Sequence, residues 1–445
     1  AVYYDNNNYI IFKLPTRSNF KQNRSIMQTE KRANISVFLP FLGIYFIFFT
    51  IFYVEGFRGD EGRYYQLAQN LLEGFYSPSD DVYLPNGPGY PIFLMPFLTF
   101  DVPVFYIRLT NIFLHFLSIV FLFLALNRSV NRKLAYVLSF FWGAYYIAYQ
   151  EIAQILSEPL TLFLVSLLVY YLSNTRKYQT KKNILICGFL LGYLVLTKVI
   201  FGYVLIILFV YSIISYIISR HVYNKTNVFI SLIAFLVISP YLMYTHSITD
   251  KIFFLSTAGG SSLYWMSNPN ENEYGDWNNY KFTANCVHTS INECNSYYFE
   301  KNHGEFFNKI SKLSTLDRDN ELKRTAIENI VNHPKKYLLN WVDNVSRLFL
   351  GVPNSYFLQG NKTFYRFVPN AIIFVILLYS MFISIISWKK LPVNMKYLIV
   401  LLLSYLSLTS LLSAYPRQLY VIVPIILFWF GCVFNSTIKI NRYTN

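Results

Sequence analysis

The sequence predicts an all-α polytopic membrane protein, and three observations support this prediction. Hydrophobic residues make up 54% and aromatic residues 19% of the 445 residues, whereas charged residues make up only 14%. The mean hydropathy is positive, at +0.34. Long apolar runs recur along the chain, and a run of about 18 or more apolar residues is typical of a membrane-spanning helix. Soluble domains carry about 25% charged residues, so the composition excludes a soluble globular protein.

Ten apolar runs each predict a transmembrane helix. They cover residues 35–54, 102–127, 133–152, 158–173, 183–198, 199–218, 226–245, 369–387, 397–413 and 419–435. A shorter run at 88–100 follows Asn86-Gly87 and contains Pro96, so it predicts a bent juxtamembrane or re-entrant helix. The expected fold therefore has about ten or eleven transmembrane helices.

The distribution of charge predicts the topology of the chain. Lys and Arg cluster in the connectors at 128–133, 176–182, 220–225 and 389–396, whereas the connector at 55–87 holds six acidic and two basic residues. Basic connectors stay on the cytoplasmic side, so both termini are expected there and residues 55–87 outside, in a bacterial cytoplasmic (inner) membrane. The net charge of +15 lies in short clusters and not on one soluble face, which argues against a nucleic-acid partner.

Four regions follow from this topology. Residues 1–34 form a polar tail, expected to be a disordered cytoplasmic extension. Residues 35–245 form an N-terminal transmembrane module whose first external loop, 55–101, is the expected catalytic loop. Residues 246–368 form an external, periplasmic or lumenal, domain, and residues 369–445 contain the C-terminal transmembrane helices.

The external region is expected to be a small helical domain packed on the membrane face. Apolar residues recur there at helical spacing, with a break at Pro334. They are Leu322, Ile327, Ile330 and Val331 before the break, and Leu338, Leu339, Val342, Val345 and Leu348 after it. An external location permits a disulfide between Cys286 and Cys294, but two free thiols fit the sequence equally well.

The first external loop raises a question of chemistry, because Asp60 and Glu61 follow directly on a membrane exit. Residues 60–74 have the pattern of an amphipathic surface helix, in which Asp60 shares the apolar face with Tyr64 and Leu67. One interpretation is that both acids cap the helix and complement its dipole. The other is that Asp60 belongs to a site, because a carboxylate on an apolar face needs partners.

Three further ionisable residues lie at predicted external ends of spans. Glu158 opens the span after "LS", Lys198 lies between two short spans, and Arg417 opens the last span. Such groups are functional candidates, although Lys and Arg can also reach the interface by snorkelling. With Arg63 and Arg108, these cations could neutralise a lipid phosphate while a carboxylate takes a proton from an attacking hydroxyl.

The chain resembles the GT-C glycosyltransferases, in the branch of protein O-mannosyltransferases and aminoarabinose (lipid A) transferases (glycosyltransferase family 39-like). "GDEGRYYQLAQNLLEGFYSPSDDVYLPNGPGYPIFLMPF" is similar to the first external loop of that family. "SEPLTLFLVSLLVYYL", "GFLLGYLVLTKVIFGYVLIILF" and "YPRQLYVIVPIILFW" resemble its fourth, middle and last spans, and "YWMSNPNENEYGDW" and "ENIVNHPKKYLLNW" its external domain. Where the aminoarabinose branch has a basic residue before paired prolines, this chain has Asn86-Gly87-Pro88-Gly89, which argues against the same donor or acceptor.

The resemblance implies a GT-C fold and a set of site residues. It implies that Asp60 is the catalytic base, with Glu61 also catalytic and lying with Tyr64 beside a sugar-phosphate. Substrate-binding roles fall to Tyr64, Arg63, Glu158, Lys198 and Arg417, of which Lys198 and Arg417 contact the lipid phosphate.

The implied reaction moves a hexose or pentose from a polyprenyl-phosphate donor to a hydroxyl of a lipid, glycan or protein on the external face, with inversion. No cofactor is obligatory, and a divalent metal stays open but without support, because no His lies near Asp60 and Glu61 in sequence. Two alternatives are an O-antigen ligase or polymerase and a polyprenyl-linked glycan transporter or flippase. The first usually has an Arg-rich large loop with a catalytic His, and the second favours internal repeats; neither is evident in the sequence.

Overall fold

In the computed structural model of the protein, nearly all of the secondary structure is helical. The structure describes residues 2–4, 10–12, 34–278, 296–356 and 362–441. Two short strands, β1 (Val2–Tyr4) and β2 (Ile10–Phe12), pair in antiparallel register within the tail that was expected to lack order. Cys286 and Cys294 lie outside the described residues, and their disulfide stays a prediction.

The N-terminal helices follow the predicted runs closely, except in the run at 133–152. They are α1 (Pro40–Phe52), α2 (Glu61–Leu72), α3 (Gly89–Thr99), α4 (Val104–Ser129), α5 (Arg132–Gly143), α6 (Ser157–Leu172), α7 (Lys181–Thr197), α8 (Ile200–Ser219) and α9 (Val222–Thr249). The expected surface helix at 60–74 is α2, and the expected short helix at 88–100 is α3.

The C-terminal half adds a helical domain and further apolar helices. Its helices are α10 (Gly259–Met266), α11 (Ser296–Ile310), α12 (Thr315–Asn332), α13 (Pro334–Leu350), α14 (Lys362–Ser387), α15 (Val393–Ser410), α16 (Pro416–Tyr420) and α17 (Val423–Asn441). Helices α10–α12 have a core of their own, in which Trp265, Phe299 and Leu322 are buried, whereas Leu348 and Phe349 of α13 belong to the core of the membrane bundle.

Five helices in the described part of the chain are long and apolar enough to cross a membrane: α4, α8, α9, α14 from Tyr365, and α15. Shorter apolar helices, α1, α3, α6 and α17, accompany them. Apart from the short β1–β2 pair, the secondary structure described is helical, and the chain is a multi-pass membrane protein, as its composition predicts.

The predicted span at 133–152 is not one continuous helix. Helix α5 ends at Gly143, and a 3-10 turn follows from Tyr146 to Glu151. The carbonyl oxygen of Gly143 accepts hydrogen bonds from the hydroxyls of Tyr45 (2.9 Å) and Tyr149 (2.5 Å). These side chains replace the intrahelical partner, so the helix stops there and the chain turns toward α6.

The membrane bundle is held by close helix contacts. Helix α4 packs on α6, and α7 packs on α9. A Cβ atom at Gly188 would lie 2.5 Å from the Cβ of Ile233, and one at Gly192 would lie 2.6 Å from the Cβ of Val237. Glycines four residues apart on α7 therefore let the two helices approach closely, as in other membrane helix pairs.

Candidate functional site

The carboxylate of Asp60 lies between two arginines. Asp60 is the N-cap residue of α2, but its side chain makes no capping hydrogen bond. Instead its Oδ1 lies 3.0 Å from Nη2 of Arg63, one turn further along α2, and its Oδ2 lies 3.1 Å from Nη2 of Arg417 in α16. The Asp60 side chain is 26% exposed. Two cations therefore pair with this carboxylate while leaving it accessible.

A second carboxylate, Glu158, lies deeper in the same site. Glu158 is in the first turn of α6, and Nζ of Lys198 lies 2.9 Å from its Oε1. Nε of Arg417 lies 3.9 Å from the same oxygen atom. Arg417 therefore bridges Asp60 and Glu158, and the four groups form one network of alternating charge.

Tyr64 connects α2 to α6 through a chain of hydrogen bonds. Its hydroxyl donates to Oγ of Ser157 (3.1 Å) and accepts from Nδ2 of Asn86 (3.1 Å). The Ser157 hydroxyl in turn donates to Glu158 at 3.4 Å. Burial, and next the charge of Glu158, raise the pKa of Tyr64 well above its ordinary value. Tyr64 is therefore a neutral hydroxyl at physiological pH and orients its neighbours rather than supplying charge.

Glu61 has different surroundings from Asp60. It is fully buried, and its Oε1 accepts hydrogen bonds from Nε of Arg108 (2.9 Å) and from the backbone N–H of Ile155 (2.7 Å). Its Oε2 accepts from the N–H of Arg58 (2.8 Å) and from Nη2 of Arg108 (3.1 Å). The place of Glu61 beside a sugar-phosphate stays a prediction, and in this structure its carboxylate oxygens are engaged by Arg108, Arg58 and Ile155. Its role in this structure is to fix α2 against α4 and the start of α6.

The segment Asn86-Gly87-Pro88-Gly89 packs tightly on the end of α7. A Cβ atom at Gly87 would lie 2.2 Å from the carbonyl oxygen of Leu196, and one at Gly89 would lie 2.6 Å from N of Thr197. The hydroxyl of Tyr193 also donates to the carbonyl oxygen of Gly89 at 2.8 Å. These glycines allow the backbones to touch, and the contact places Asn86 next to the residues that carry Lys198.

The loop that carries Arg417 is held by α13. Nδ2 of Asn344 donates to the carbonyl oxygens of Ser410 (2.7 Å) and Leu412 (2.6 Å), and its Oδ1 accepts from the N–H of Ala414 (2.9 Å). Nε of Arg347 donates to the carbonyl oxygen of Ala414 at 3.1 Å, and Nη2 donates to Oδ1 of Asn344 at 2.8 Å. Asn344 and Arg347 are both fully buried. The loop therefore has a defined conformation before it reaches Arg417.

The sequence did not identify several residues around this network. Ser157 and Asn86 join it through Tyr64, and Arg366 at the start of α14 donates to Oε1 of Gln150 at 3.3 Å. Glu151 lies within electrostatic reach of Glu158, Arg417, Lys198 and Arg366. Glu151 carried a signal, as an acidic residue at the end of an apolar run, and Asn86 was noted only as part of a segment that departs from the family pattern. Nothing in the sequence singles out Ser157.

Some polar atoms around the site have no hydrogen-bond partner within the described residues. They are Nε of Arg63, Oδ1 of Asn86 and the hydroxyl of Tyr420. Unpaired buried polar atoms cost free energy, and a bound polar molecule can satisfy them. No group of three or more His, Cys, Asp and Glu side chains in the described ranges is arranged to hold a metal ion.

The structure brings six of the seven expected site residues into one connected network. They are Asp60, Arg63, Tyr64, Glu158, Lys198 and Arg417, which come from α2, α6, the end of α7 and α16. Glu61 is adjacent in sequence but faces the interior.

Comparison with known proteins gives one family and several similar structures. Residues 88–244, about a third of the chain, match the family described as dolichyl-phosphate-mannose-protein mannosyltransferase. This match agrees with the predicted resemblance to GT-C glycosyltransferases over those residues. No curated protein matches the chain.

Among solved structures, the chain is similar to an oligosaccharyltransferase of Archaeoglobus fulgidus tethered with an acceptor peptide, at 11% identity and a TM-score of 0.48, over 91% of this chain and 50% of that one. The same archaeal enzyme, AglB, in complex with an inhibitory peptide and a dolichol-phosphate, matches at 11% identity and a TM-score of 0.46, over 91% and 51%. ArnT from Cupriavidus metallidurans, bound to undecaprenyl phosphate, matches at 12% identity and a TM-score of 0.37, over 92% and 79%. The chain thus spans about half the length of the archaeal proteins.

Proposed function

We propose that this protein is a membrane glycosyltransferase that moves a sugar from a polyprenyl-phosphate donor to a hydroxyl of a lipid, glycan or protein acceptor. The observation that carries the proposal is the ion pair between Asp60 and Arg417, bridged by Arg417 to the pair of Glu158 and Lys198. The match of residues 88–244 to a family named for a dolichyl-phosphate sugar donor supports the choice of reaction. The site is proposed to open on the external face of a bacterial cytoplasmic membrane, with both termini in the cytoplasm.

Asp60 is the proposed general base. It is the more accessible of the two carboxylates in the network, and its two oxygen atoms are paired with Arg63 and Arg417. The acceptor hydroxyl gives its proton to Asp60 as its oxygen atom bonds to the anomeric carbon. The bond from that carbon to the phosphate oxygen breaks on the opposite side, so the configuration inverts.

Lys198 and Arg417 are the proposed phosphate contacts. The leaving polyprenyl phosphate gains negative charge as the glycosidic bond breaks, and cations aimed at that charge lower the barrier. Three cations, Arg63, Lys198 and Arg417, face two carboxylates in the network, so the site carries a net positive charge before a donor binds. Glu158 keeps Lys198 in position, and Tyr64 with Asn86 is placed to hydrogen-bond the donor.

The test is transfer from a panel of radiolabelled polyprenyl-phosphate hexoses and pentoses by the purified protein in lipid nanodiscs. The panel of acceptors includes a lipid, a glycan and a peptide hydroxyl. We expect one donor class to support transfer, and Asp60→Asn to lower kcat by about 10²–10⁴-fold, the usual contribution of a general base.

Asp80→Asn is the matched control, because Asp80 is an exposed carboxylate of the same connector. It should retain full activity. Transfer by Asp60→Asn at the rate of the unaltered protein would rule out Asp60 as the base. Movement of intact glycolipid across a vesicle membrane, without glycosidic transfer, would contradict the proposed reaction and favour a flippase.

A further inference from the structure

Helix α13 exposes a row of apolar side chains. Leu338, Leu339 and Val342 are 61%, 61% and 58% exposed. These residues were expected to contribute to a helical domain by their spacing, but the described core of that domain buries Leu322 and not them. We call Leu338, Leu339 and Val342 the α13 stripe. An exposed apolar cluster of this kind marks a surface for a partner or a membrane.

Hydrogen bonds from the neighbouring face of α13 fix the position of this helix at one end of the membrane bundle. The hydroxyl of Tyr337 donates to the carbonyl oxygen of Leu411 at 3.1 Å, and Nε1 of Trp341 donates to Oγ of Ser410 at 3.1 Å. Helix α15, one of the candidate spans, ends at Ser410. Helix α13 therefore crosses the end of a membrane-spanning helix, which is the level of the lipid headgroups.

The α13 stripe is continuous with the surface of another candidate span. Val345, which is half-buried, and Phe349, which is buried, follow Val342 at helical spacing. The ring of Phe349 packs edge-on against that of Phe374 in α14, with centroids 5.1 Å apart. Phe374 and its neighbour Val375 are 40% and 64% exposed on the outside of α14. In a membrane-spanning helix such a surface faces acyl chains, so the row along α13 leads into a lipid-facing surface.

We propose that α13 is an interfacial helix, with the α13 stripe buried among the acyl chains of the leaflet on the side of the candidate site. Lys335 is exposed at the start of the helix, where it can reach the phosphate groups of lipids. Trp341 is 39% exposed and bonded to the end of α15, a place typical of aromatic residues at a membrane interface. The occupant of the stripe is therefore a lipid bilayer and not a protein.

In this arrangement the two faces of α13 have different functions. The buried face holds the loop of Arg417 through Asn344 and Arg347, and the exposed face would rest in lipid. The bilayer surface then sets the position of the helix that shapes the site. This inference does not depend on the proposed reaction, because it concerns only the contact between α13 and lipid.

The experiment places the environment-sensitive fluorescent amino acid Anap singly at 338 or 342 and reconstitutes the full chain in phosphatidylcholine vesicles with brominated acyl chains. Glu328 on α12, with a 52% exposed side chain, is the control position in the same domain. The probe at 338 and 342 should be blue-shifted and quenched at least about twofold more than at 328, since an interfacial helix lies about 5–10 Å into the acyl boundary. Equal quenching at all three positions would overturn the proposal. A blue shift at 338 and 342 that increases with protein concentration, without quenching by the brominated lipid, would also overturn the proposal, because it would indicate that a protein covers the stripe.

A measurement on the unaltered protein covers the case in which a labelled variant does not fold. Hydroxyl-radical labelling in nanodiscs should modify Leu338, Leu339 and Val342 several-fold more slowly than Leu313, which is 39% exposed between α11 and α12. Rates that follow exposure alone, fastest at Leu338 and Leu339, would contradict burial in lipid.

Discussion

At the residue scale, the two adjacent carboxylates of the first loop have different surroundings. Asp60 is partly exposed and shares two arginines with the site, whereas Glu61 is enclosed with Arg108. The helical periodicity of the sequence predicted the face of α2 on which Asp60 lies. Periodicity could not identify Arg108 as the partner of Glu61, because the two residues are 47 positions apart and periodicity does not report contacts between helices. The surroundings of the Glu61 side chain are therefore set by the packing of α2 against α4, which only the structure shows.

Glu61→Gln should destabilise the protein, because it leaves the buried Arg108 without its counter-charge. Breaking one partner of a buried ion pair costs about 3–5 kcal/mol in the free energy of unfolding. Thermal unfolding in detergent measures this as a lower Tm. Arg324→Ala, which breaks exposed pairs with Glu321 and Glu328, is the control and should leave Tm almost unchanged. A Tm equal to that of the unaltered protein in Glu61→Gln would show that the pair contributes nothing.

Lys198→Met should weaken donor use without removing the base. Hydrogen bonds to charged groups contribute about 1.5–3 kcal/mol, which corresponds to a fall of about 10–100-fold in kcat/KM for the donor. Lys198→Arg keeps the positive charge and should recover a large part of that loss. Steady-state kinetics with the active donor tests both variants, and an unchanged kcat/KM in Lys198→Met would exclude a phosphate contact at this residue.

At the element scale, the site is formed where helices begin or end. Asp60 precedes α2, Glu158 opens α6, Lys198 follows α7 and Arg417 opens the last apolar segment. Hydropathy predicted these helix ends well, because apolar runs stop where the chain leaves lipid. It missed the break at Gly143, since the hydropathy of a run does not show that the hydroxyls of Tyr45, in α1, and Tyr149, six residues further on, bind its carbonyl oxygen.

Gly89→Ala should disturb the contact between the start of α3 and the end of α7. The new methyl group would lie 2.6 Å from the backbone of Leu196 and Thr197, which cannot move without displacing Lys198. Overpacking of this kind costs about 1–3 kcal/mol, so both Tm and donor affinity should fall. Gly43→Ala is the control, because nothing lies within 4 Å of a Cβ there and alanine favours a helix. Equal Tm values for the two variants would contradict the close contact.

Asn344→Ala tests α13 as a positioning element. It removes the bonds to Ser410, Leu412 and Ala414 and leaves buried backbone groups unpaired, at about 1–3 kcal/mol each. Because Arg417 follows this loop, the donor KM should rise while the pH profile of kcat keeps its shape, since Asp60 is untouched. Trp341→Phe, which loses one bond to Ser410, should have a smaller effect. A shifted pH profile would mean that Asn344 acts on the base itself.

At the scale of the whole molecule, composition and hydropathy were sufficient for an all-helical membrane fold, and order along the chain was sufficient for the family resemblance. The match of residues 88–244 contains two of the six sequence motifs that carry the resemblance, and the end of a third. The α10–α13 domain was harder to predict in detail. Its apolar residues have helical spacing, but spacing does not distinguish a side chain buried in the domain from one exposed like Leu338.

The short helices near the site have a consequence for the bilayer around the protein. Helix α5 has 12 residues and α6 has 16, which correspond to lengths of about 18 Å and 24 Å. A hydrocarbon core of about 30 Å exceeds both, and such hydrophobic mismatch is relieved by thinning of the lipid or by snorkelling of flanking residues. Helix α1, with 13 residues, has the same deficit. Helices α1 and α5 expose apolar side chains to lipid, whereas α6 is enclosed by other helices. We expect the membrane to be indented beside α1 and α5, so that a lipid headgroup descends toward Glu158 and Lys198 instead of being lifted out of its leaflet.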